Sequence, residues 1–352
     1  MKDLTGIQTD SGIPTLATVL DPAQLARHLV GVVDWDTSTK IQIKVLRWKK
    51  KDRCTFEITL KPRGAGPDLL FPLTGADDSE NGWCELIGKV YADDRADVYR
   101  TMEEIRLAGF EPDAEFGIPR AVAFVPSLRL LLYEKVPGIR ARRMIVEDGP
   151  DSSRAAERCG RWLVQFHARG PRSGPVFGVA EQLGALDEAR AGVADAGPAF
   201  RDKADRLFEE LTEVARGLGA CELRAGHGTY TPGQVLLTEG RTVTIDWDTY
   251  RVMDPAYDVA RFLVELNRMG RKSTGSADAF RAEAEVFLRA YVGQAGPDVL
   301  SRLAFHKAAI FLDRAKHDFD KLDRQEQGWY EKAEIMLDEG LRVIAEAGWK
   351  AV

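Results

Sequence analysis

The chain has 352 residues, 44% of them hydrophobic and 30% charged, as in an ordinary globular protein long enough for two domains or one two-lobed enzyme. A net charge of −6 argues against a general binder of nucleic acid or anionic membranes, and no apolar run nears the roughly 20 residues that span a bilayer. The start "MKDLTGIQTD" does not read as a signal peptide. Four scattered cysteines (Cys54, Cys84, Cys159, Cys221) lack a CxxC pair, so reduced thiols in a cytoplasmic protein are expected.

In chain order, residues 1–39 are expected to be a short helical or irregular segment. "IQIKVLRW" (41–48) and "CTFEITLK" (54–61) read as strands joined by the polar turn "KKKDR". A Gly/Pro/Asp-rich connection (63–82) leads to a third strand, "WCELIGKVYA" (83–92). "DDRADVYRTMEEIRLAGF" predicts a helix, with Asp93 and Asp94 at its positive end, an apolar stripe of Val98, Met102, Ile105 and Leu107, and Gly109 as its stop. "AVAFVPSLRLLLYEKVPG" (121–138) predicts two more strands ending in a Pro-Gly break. From about residue 150 the period turns helical. Ala156, Cys159, Leu163 and Phe166 share one face of the first long helix, and Gly170 closes it. His167 near that helix's C-terminus is expected to complement the helix dipole, and Asp254-Pro255 to start a later helix. The result is a mixed five-stranded lobe followed by a helical one.

A kinase-type site needs few parts, and they occur here in order. It uses a strand Lys for the phosphates, a helix Glu to hold that Lys, metal ligands, and a loop carrying a base with a further metal ligand five residues later. Lys89 lies on the third strand, and Glu103 and Glu104 on the following helix are candidates to face it. Asp246 ends the expected strand "RTVTIDWD", from which a carboxylate can reach Mg²⁺. Asp248, two residues on, is expected on the same side of the strand. Gln234 stands five positions after Thr229. Each piece has a plain structural alternative: a solvated Lys, a turn-capping Asp, a tight turn at His227-Gly228, a charge run at Lys49-Lys50-Lys51.

The stretch "HGTYTPGQVLLTEGRTVTIDWDTYRVMDPAYDVARFL" (227–263) resembles the signature of the aminoglycoside phosphotransferase and choline kinase-type family of small-molecule kinases. That signature is HGDxxxxN, then IDW or IDF, then D-P and a further Asp. The resemblance implies an α+β, bilobal protein-kinase-like fold, with a nucleotide-binding lobe at 1–136 and a helical lobe at 137–352. It implies ATP or GTP with Mg²⁺ as cofactors and a small-molecule acceptor, with no nucleic acid or membrane partner. By the resemblance, Lys89 binds the phosphates and pairs with Glu103 or Glu104. Tyr133, Glu134, Lys135 and Val136 form the adenine hinge, Gln234 and Asp246 hold Mg²⁺, and Asp258 braces the His227 loop.

The chain departs from that pattern at three places. Thr229 stands where the family has its catalytic Asp, Gln234 replaces Asn, and the first turn is "KKKDR" without glycine, leaving its lysines or Arg53 to contact nucleotide by side chain. Asp248 is a candidate substitute base. Two functions stay open: a phosphotransferase acting on a hydroxyl of a sugar-like molecule, amino alcohol or antibiotic, and a pseudokinase that binds nucleotide or ligand in a regulatory role. Mixed charges on the last helices (Lys307, Asp313, Arg314, Lys316, Asp318, Asp320, Lys321) favour a neutral polyol over a cationic aminoglycoside.

Overall fold

The structure is a computed structural model that describes residues 7, 9–30, 40–61, 84–147, 149, 151–319 and 329–348. The connection expected at 63–82, together with Asp320 and Lys321, lies outside the described residues, as do residues 1–6, 8 and 31–39 of the expected N-terminal segment. The described chain forms two compact units, one of residues up to Ile139 plus Leu236–Asp248, the other of Arg140–Val235 and Thr249 onward. A division at 136/137 assigns Leu236–Asp248 to the second unit; in the fold these residues join the first.

The first unit is built on a five-stranded antiparallel sheet, in the order β1 (Lys40–Lys49), β2 (Arg53–Lys61), β3 (Cys84–Tyr91), β6 (Leu130–Glu134), β5 (Ala121–Val125). Alternation sets its faces. Cys54, Phe56, Ile58 and Leu60 of β2 are fully buried with Leu86 and Val90 of β3 and Leu130 and Leu132 of β6. Two short helices, α1 (Leu16–Leu20) and α2 (Pro22–Leu29), cover that face with Leu16, Val19, Leu25 and Leu29. Asp21 caps α2 by accepting from the Ala23 and Gln24 amides, with Pro22 in the first helical position. Lys89, one residue before Val90, therefore faces the opposite side. Gly88 is required there, because a Cβ would lie 2.4 Å from the Phe56 ring of the paired strand.

Helix α3 (Ala96–Leu107) follows, after the Asp94 carboxylate accepts from the Ala96 amide. Val98, Met102 and Ile105 are buried as the stripe predicts, but Leu107 is 73% exposed, since it falls two positions past Ile105 and off the face. The two-residue strand β4 (Phe116–Gly117) pairs in parallel with β11 (Thr242–Thr244), which ties the returning segment into this unit. A two-residue strand β7 (Ile139–Arg140) closes the first pass through it.

The second unit is mostly helical: α4 (Ala141–Val146), α5 (Asp151–Arg169), α6 (Val179–Ala194), α7 (Pro198–Gly217), α8 (Pro255–Thr274), α9 (Arg281–Ala295), α10 (Leu303–Phe319) and α11 (Trp329–Glu346). Ala156, Cys159, Leu163 and Phe166 of α5 are all fully buried. A run of rings fills the centre: Trp162 stacks on Tyr230 at 5.6 Å, Tyr230 on Phe262 at 5.8 Å and Phe262 on Phe287 at 3.9 Å between centroids. Among these helices lie β8 (Val176–Phe177), β9 (Arg224–Gly226) and β12 (Arg251–Met253), which form a small sheet with β12 in the middle. Strand β10 (Val235–Leu237) leads back toward β11. No helix among the described residues is long and apolar enough to cross a membrane.

Candidate active site

In the sheet unit, Lys89 is 4% exposed and its ammonium lies 2.5 Å from Asp246 Oδ1 and 2.6 Å from Asp248 Oδ2. The geometry that brings both carboxylates to one ammonium is local. Strand β11 ends at Thr244, and Asp246 adopts a left-handed conformation (φ 74°), one that aspartate tolerates better than most residues. The chain then turns through a single 3-10 turn, Trp247–Thr249, with the Trp247 indole N–H donating to the Thr244 carbonyl at 3.1 Å. Asp248 is therefore not on a continuing strand, as the sequence suggests, but is swung inward onto β3. There its Oδ1 accepts from Tyr91 at 2.8 Å, Arg53 Nε sits 3.3 Å from Oδ2, and Arg95 donates to its backbone carbonyl at 2.8 Å.

Pleating explains the set: Lys89 and Tyr91 are two apart on one face of β3, and the β2–β3 register places Arg53 opposite Tyr91. Burial, then the Asp248 charge and hydrogen bond, push the Tyr91 phenol well above its ordinary value, so it stays a donor. With the Lys89 ammonium, the Arg53 guanidinium and the Tyr91 hydroxyl all against it, the Asp248 carboxylate is held as an anion on β3, a poor setting for the substitute base expected there.

The partners expected for Lys89 lie elsewhere. Glu103 pairs with Arg106 of its own helix at 3.1 Å, and Glu104 is exposed; with Met102 and Ile105 turned to the core, the flanking glutamates point outward. At the expected hinge, Tyr133 and Glu134 are within β6, and Val136 lies past its end. The Glu134 amide donates to the Arg120 carbonyl at 3.0 Å and the Lys135 amide to the Glu85 carbonyl at 3.4 Å, while the Lys135 ammonium sits 3.1 Å from Glu57 and 2.9 Å from Glu85. Glu134 itself is buried, its carboxylate accepting from the Arg120 amide at 3.4 Å.

In the helical unit, the His227 loop is fixed from beneath. Asp258, on the first turn of α8, is fully buried and accepts from the His227 amide at 2.6 Å and the Gly228 amide at 2.9 Å. Burial pushes its carboxyl up, but the hydrogen bond from His167, the two neighbouring imidazoles and the His227 amide hold it below the usual carboxylate range. Gly228 has φ 79°, and a Cβ there would lie 2.3 Å from the Thr249 carbonyl, so only glycine fits. His167 lies in the last turn of α5, as expected, and is also buried there: it is 4% exposed, 2.7 Å from the Tyr291 hydroxyl and 3.4 Å from Asp258. Asp254 caps α8 through the Ala256 amide and accepts from His306 at 2.9 Å.

Thr229 lies at the exposed side of this loop, and its hydroxyl has three neighbours. Gln234 Nε2 donates to it at 3.2 Å, Thr249 Oγ1 is 2.9 Å away, and His227 Nδ1 is 3.3 Å away. Thr249 donates to the His227 carbonyl at 3.0 Å, and a carbonyl can only accept. Thr249 therefore receives the Thr229 proton, giving a one-directional chain from the Gln234 amide through both hydroxyls to the His227 carbonyl. The Gln234 carbonyl oxygen, expected to meet a metal, accepts instead from Thr231 at 3.1 Å. Tyr91 and Arg95, beside Lys89 and Asp248 in the sheet unit, and Thr249 and Tyr291, beside Thr229 and His167 in the helical unit, were not singled out in the sequence; only Tyr91 carried a signal, its two-residue spacing from Lys89. Burial pushes the Cys54 and Cys159 thiols up to about 12 and that of Cys221 up to about 11, which keeps these three protonated near neutral pH.

Among the described residues no group of three or more His, Cys, Asp and Glu side chains forms a metal site. Mg²⁺ does not require one, since it is commonly held by one or two carboxylates plus substrate phosphates. The donor set fits: the Asp246 side chain is 28% exposed, and Asp248 Oδ2 is buried without an aligned hydrogen bond.

Several solved structures share this fold. A choline/ethanolamine kinase family protein from Mesorhizobium loti is 18% identical with a TM-score of 0.52, over 74% of this chain and 86% of that one. The GDP and kanamycin complex of APH(2″)-IIia is 16% identical with a TM-score of 0.57, over 86% and 94%. A thermostable mutant of aminoglycoside phosphotransferase APH(4)-Ia, in a ternary complex with AMP-PNP and hygromycin B, is 15% identical with a TM-score of 0.58, over 92% and 98%. No curated protein matches the chain by sequence. At these identities the structures establish the α+β, protein-kinase-like fold. The assignment by sequence comes from a family profile matching residues 81–306, which run from the Lys89 strand past the Asp258 helix: the chain belongs to the phosphotransferase enzyme family.

Proposed function

We propose that the chain transfers the terminal phosphoryl group of ATP or GTP to a hydroxyl of a small, polar molecule. The observation that carries this reading is the buried Lys89 ammonium with Asp246 and Asp248 both against it. Holding a buried ammonium against one buried and one partly exposed carboxylate is a weak way to stabilise a fold, but it is a set into which phosphate oxygens and a hard cation can exchange. Lys89 and Arg53 would bind phosphate oxygens, and Asp246, with Asp248, would hold Mg²⁺. When bound, that ion neutralises charge on the phosphates. The nucleotides and antibiotics in the related structures support a nucleotide donor and a small-molecule acceptor.

Thr229 would orient the acceptor. Its proton is directed toward Thr249, so its remaining lone pair can accept from the acceptor hydroxyl. As the acceptor oxygen bonds to phosphorus, the bond to the leaving nucleotide oxygen breaks and the acceptor's proton passes to a phosphoryl oxygen. A loose transition state keeps proton loss late, so the step tolerates the absence of a loop carboxylate. That same absence supports a second reading, a pseudokinase that binds nucleotide without turnover.

The test compares Mg²⁺-dependent ATP and GTP affinity, read by thermal shift, with nucleotide consumption over a panel of sugars, amino alcohols and aminoglycosides. Asp246→Asn should weaken nucleotide binding by about tenfold or more, the loss of a charge-assisted contact. Thr229→Ala should change that affinity by less than about threefold, since it acts on the acceptor side. Equal effects would mean that Asp246 is misassigned. Binding by wild type without consumption for any acceptor would favour the pseudokinase.

A further inference from the structure

The turn that joins β1 to β2, Lys49–Arg53, carries no glycine, yet it holds Lys51 at φ 58°, a backbone conformation that L side chains rarely adopt. It does not hold that shape alone. Asp10, 7% exposed and far from the turn in sequence, reaches it with one oxygen: Oδ2 accepts from the Lys51 amide at 2.8 Å and from the Trp48 indole N–H at 2.9 Å. Its other oxygen accepts from the Gly12 amide at 3.0 Å. Gly12 lies directly against the turn, where a Cβ would come within 2.6 Å of the Lys51 Cα. The carboxylate is thus filled on both oxygens, and its three donors belong to a turn and the segment clasping it.

The shape imposed on Lys51 is transmitted along the next two residues. The Asp52 carbonyl accepts from the Ala92 amide at 2.8 Å, and its carboxylate pairs with Lys49 at 2.5 Å and Arg53 at 3.3 Å. Arg53 in turn directs Nε to Asp248 at 3.3 Å, and Asp248 is one of the two carboxylates on Lys89. Every link lies within the sheet unit. Related phosphoryl-transfer enzymes use glycines in a comparable loop, where small residues let backbone approach phosphate. Here a carboxylate outside the turn fixes it instead.

We propose that Asp10 is a positioning residue for the nucleotide phosphates: by clamping the Lys49–Arg53 turn it sets Arg53, and through Asp248 the Lys89 ammonium. The inference rests on the phosphotransferase reading and adds a residue to it. Asp10 also stays ionised readily; burial pushes its carboxyl up, but the Lys51 and Gly12 amides, the Trp48 indole and the nearby Lys50 charge hold it below the ordinary value.

The test uses the full chain with Asp10→Ala, which removes all three bonds, and Trp48→Phe, which removes one and keeps a ring in place. The readouts are the dissociation constants for Mg-ATP and Mg-GTP, the melting temperature without nucleotide, and amide exchange over residues 49–53. Asp10→Ala should raise the nucleotide dissociation constant about tenfold, the equivalent of one charge-assisted hydrogen bond, with faster exchange at Lys51 and Asp52. Trp48→Phe should produce a smaller change in the same direction. A lowered melting temperature with nucleotide affinity unchanged within twofold would make Asp10 a packing residue only and overturn the proposal. If wild type binds neither nucleotide, the phosphotransferase reading fails by itself. Exchange then judges the clamp: faster exchange at 49–53 in Asp10→Ala upholds it, and unchanged exchange overturns it.

Discussion

Thr229 stands where a general base is expected, and its hydroxyl already has a donor and an acceptor of its own in Gln234 and Thr249. An aspartate placed there would keep the Gln234 Nε2 donor, and the Thr249 hydroxyl could turn its one proton from the His227 carbonyl to the carboxylate. Thr229→Asp is therefore expected to fold and to raise kcat by up to about 10²-fold, the lower end of base assistance, with little change in KM for nucleotide. Steady-state nucleotide consumption measures it; ordinary kinase rates in wild type, abolished by the substitution, would show that Thr229 works in another way. At this scale the sequence was informative about residue type and order and poor about partners. Lys89 and Asp246 could be singled out because a Lys strand, an HG loop and an Asp-bearing return occur in sequence. That Lys89 meets Asp246 and Asp248 in place of Glu103 or Glu104 could not be read, because it depends on one left-handed aspartate and the turn after it.

Helix α8 shows what an element contributes. Its cap, Asp254, and its first-turn Asp258 were both legible as residues, the one from Asp-Pro and the other from the family pattern, and each is anchored where a helix start offers free amides or a loop offers two. The loop above it tolerates no side chain at Gly228. Gly228→Ala must carry a Cβ at φ 79° and against the Thr249 carbonyl, so a loss of at least about 1–2 kcal/mol is expected from the backbone conformation alone. Urea unfolding measures the loss, and a midpoint equal to wild type would contradict the geometry. Long amphipathic elements such as α5 were readable, since burial of Ala156, Cys159, Leu163 and Phe166 follows directly from their spacing. The two-residue strands β4, β7 and β8 were not, because two residues carry no period and exist only through pairing with distant chain.

Over the whole molecule, buried carboxylates set the response to acid. Burial pushes Asp254 up, but the hydrogen bond and charge of His306, the bond from Arg302 and the Ala256 amide hold it well below its ordinary value; Asp258 is lowered similarly. A carboxyl lower in the folded than in the unfolded state, about 3.9, contributes stability that is fully present above that value and is lost progressively as pH falls from it through the lower folded value. The urea midpoint is expected to be level down to about pH 5, to drop below it and to be still falling at pH 3, less steeply in Asp254→Asn. A midpoint flat to pH 3 would refute this. The α+β class and the order of lobes were legible from the change of period near residue 150. The membership of Leu236–Asp248 in the sheet unit was not, since β11 pairs with a strand more than a hundred residues earlier.

That return has a consequence for how the polypeptide is made. On the ribosome, the five strands and both N-terminal helices emerge long before residue 236, but the unit they belong to is unfinished. Until Asp246 and Asp248 are synthesised, the Lys89 ammonium has neither carboxylate that accompanies it in the finished fold, and burying it bare costs several kcal/mol. The nascent sheet therefore has reason to stay open, or to need a chaperone, while the chain between is translated. The two charges that complete it arrive immediately before Thr249, so the sheet unit and the proton chain of the His227 loop reach completion at the same point in synthesis.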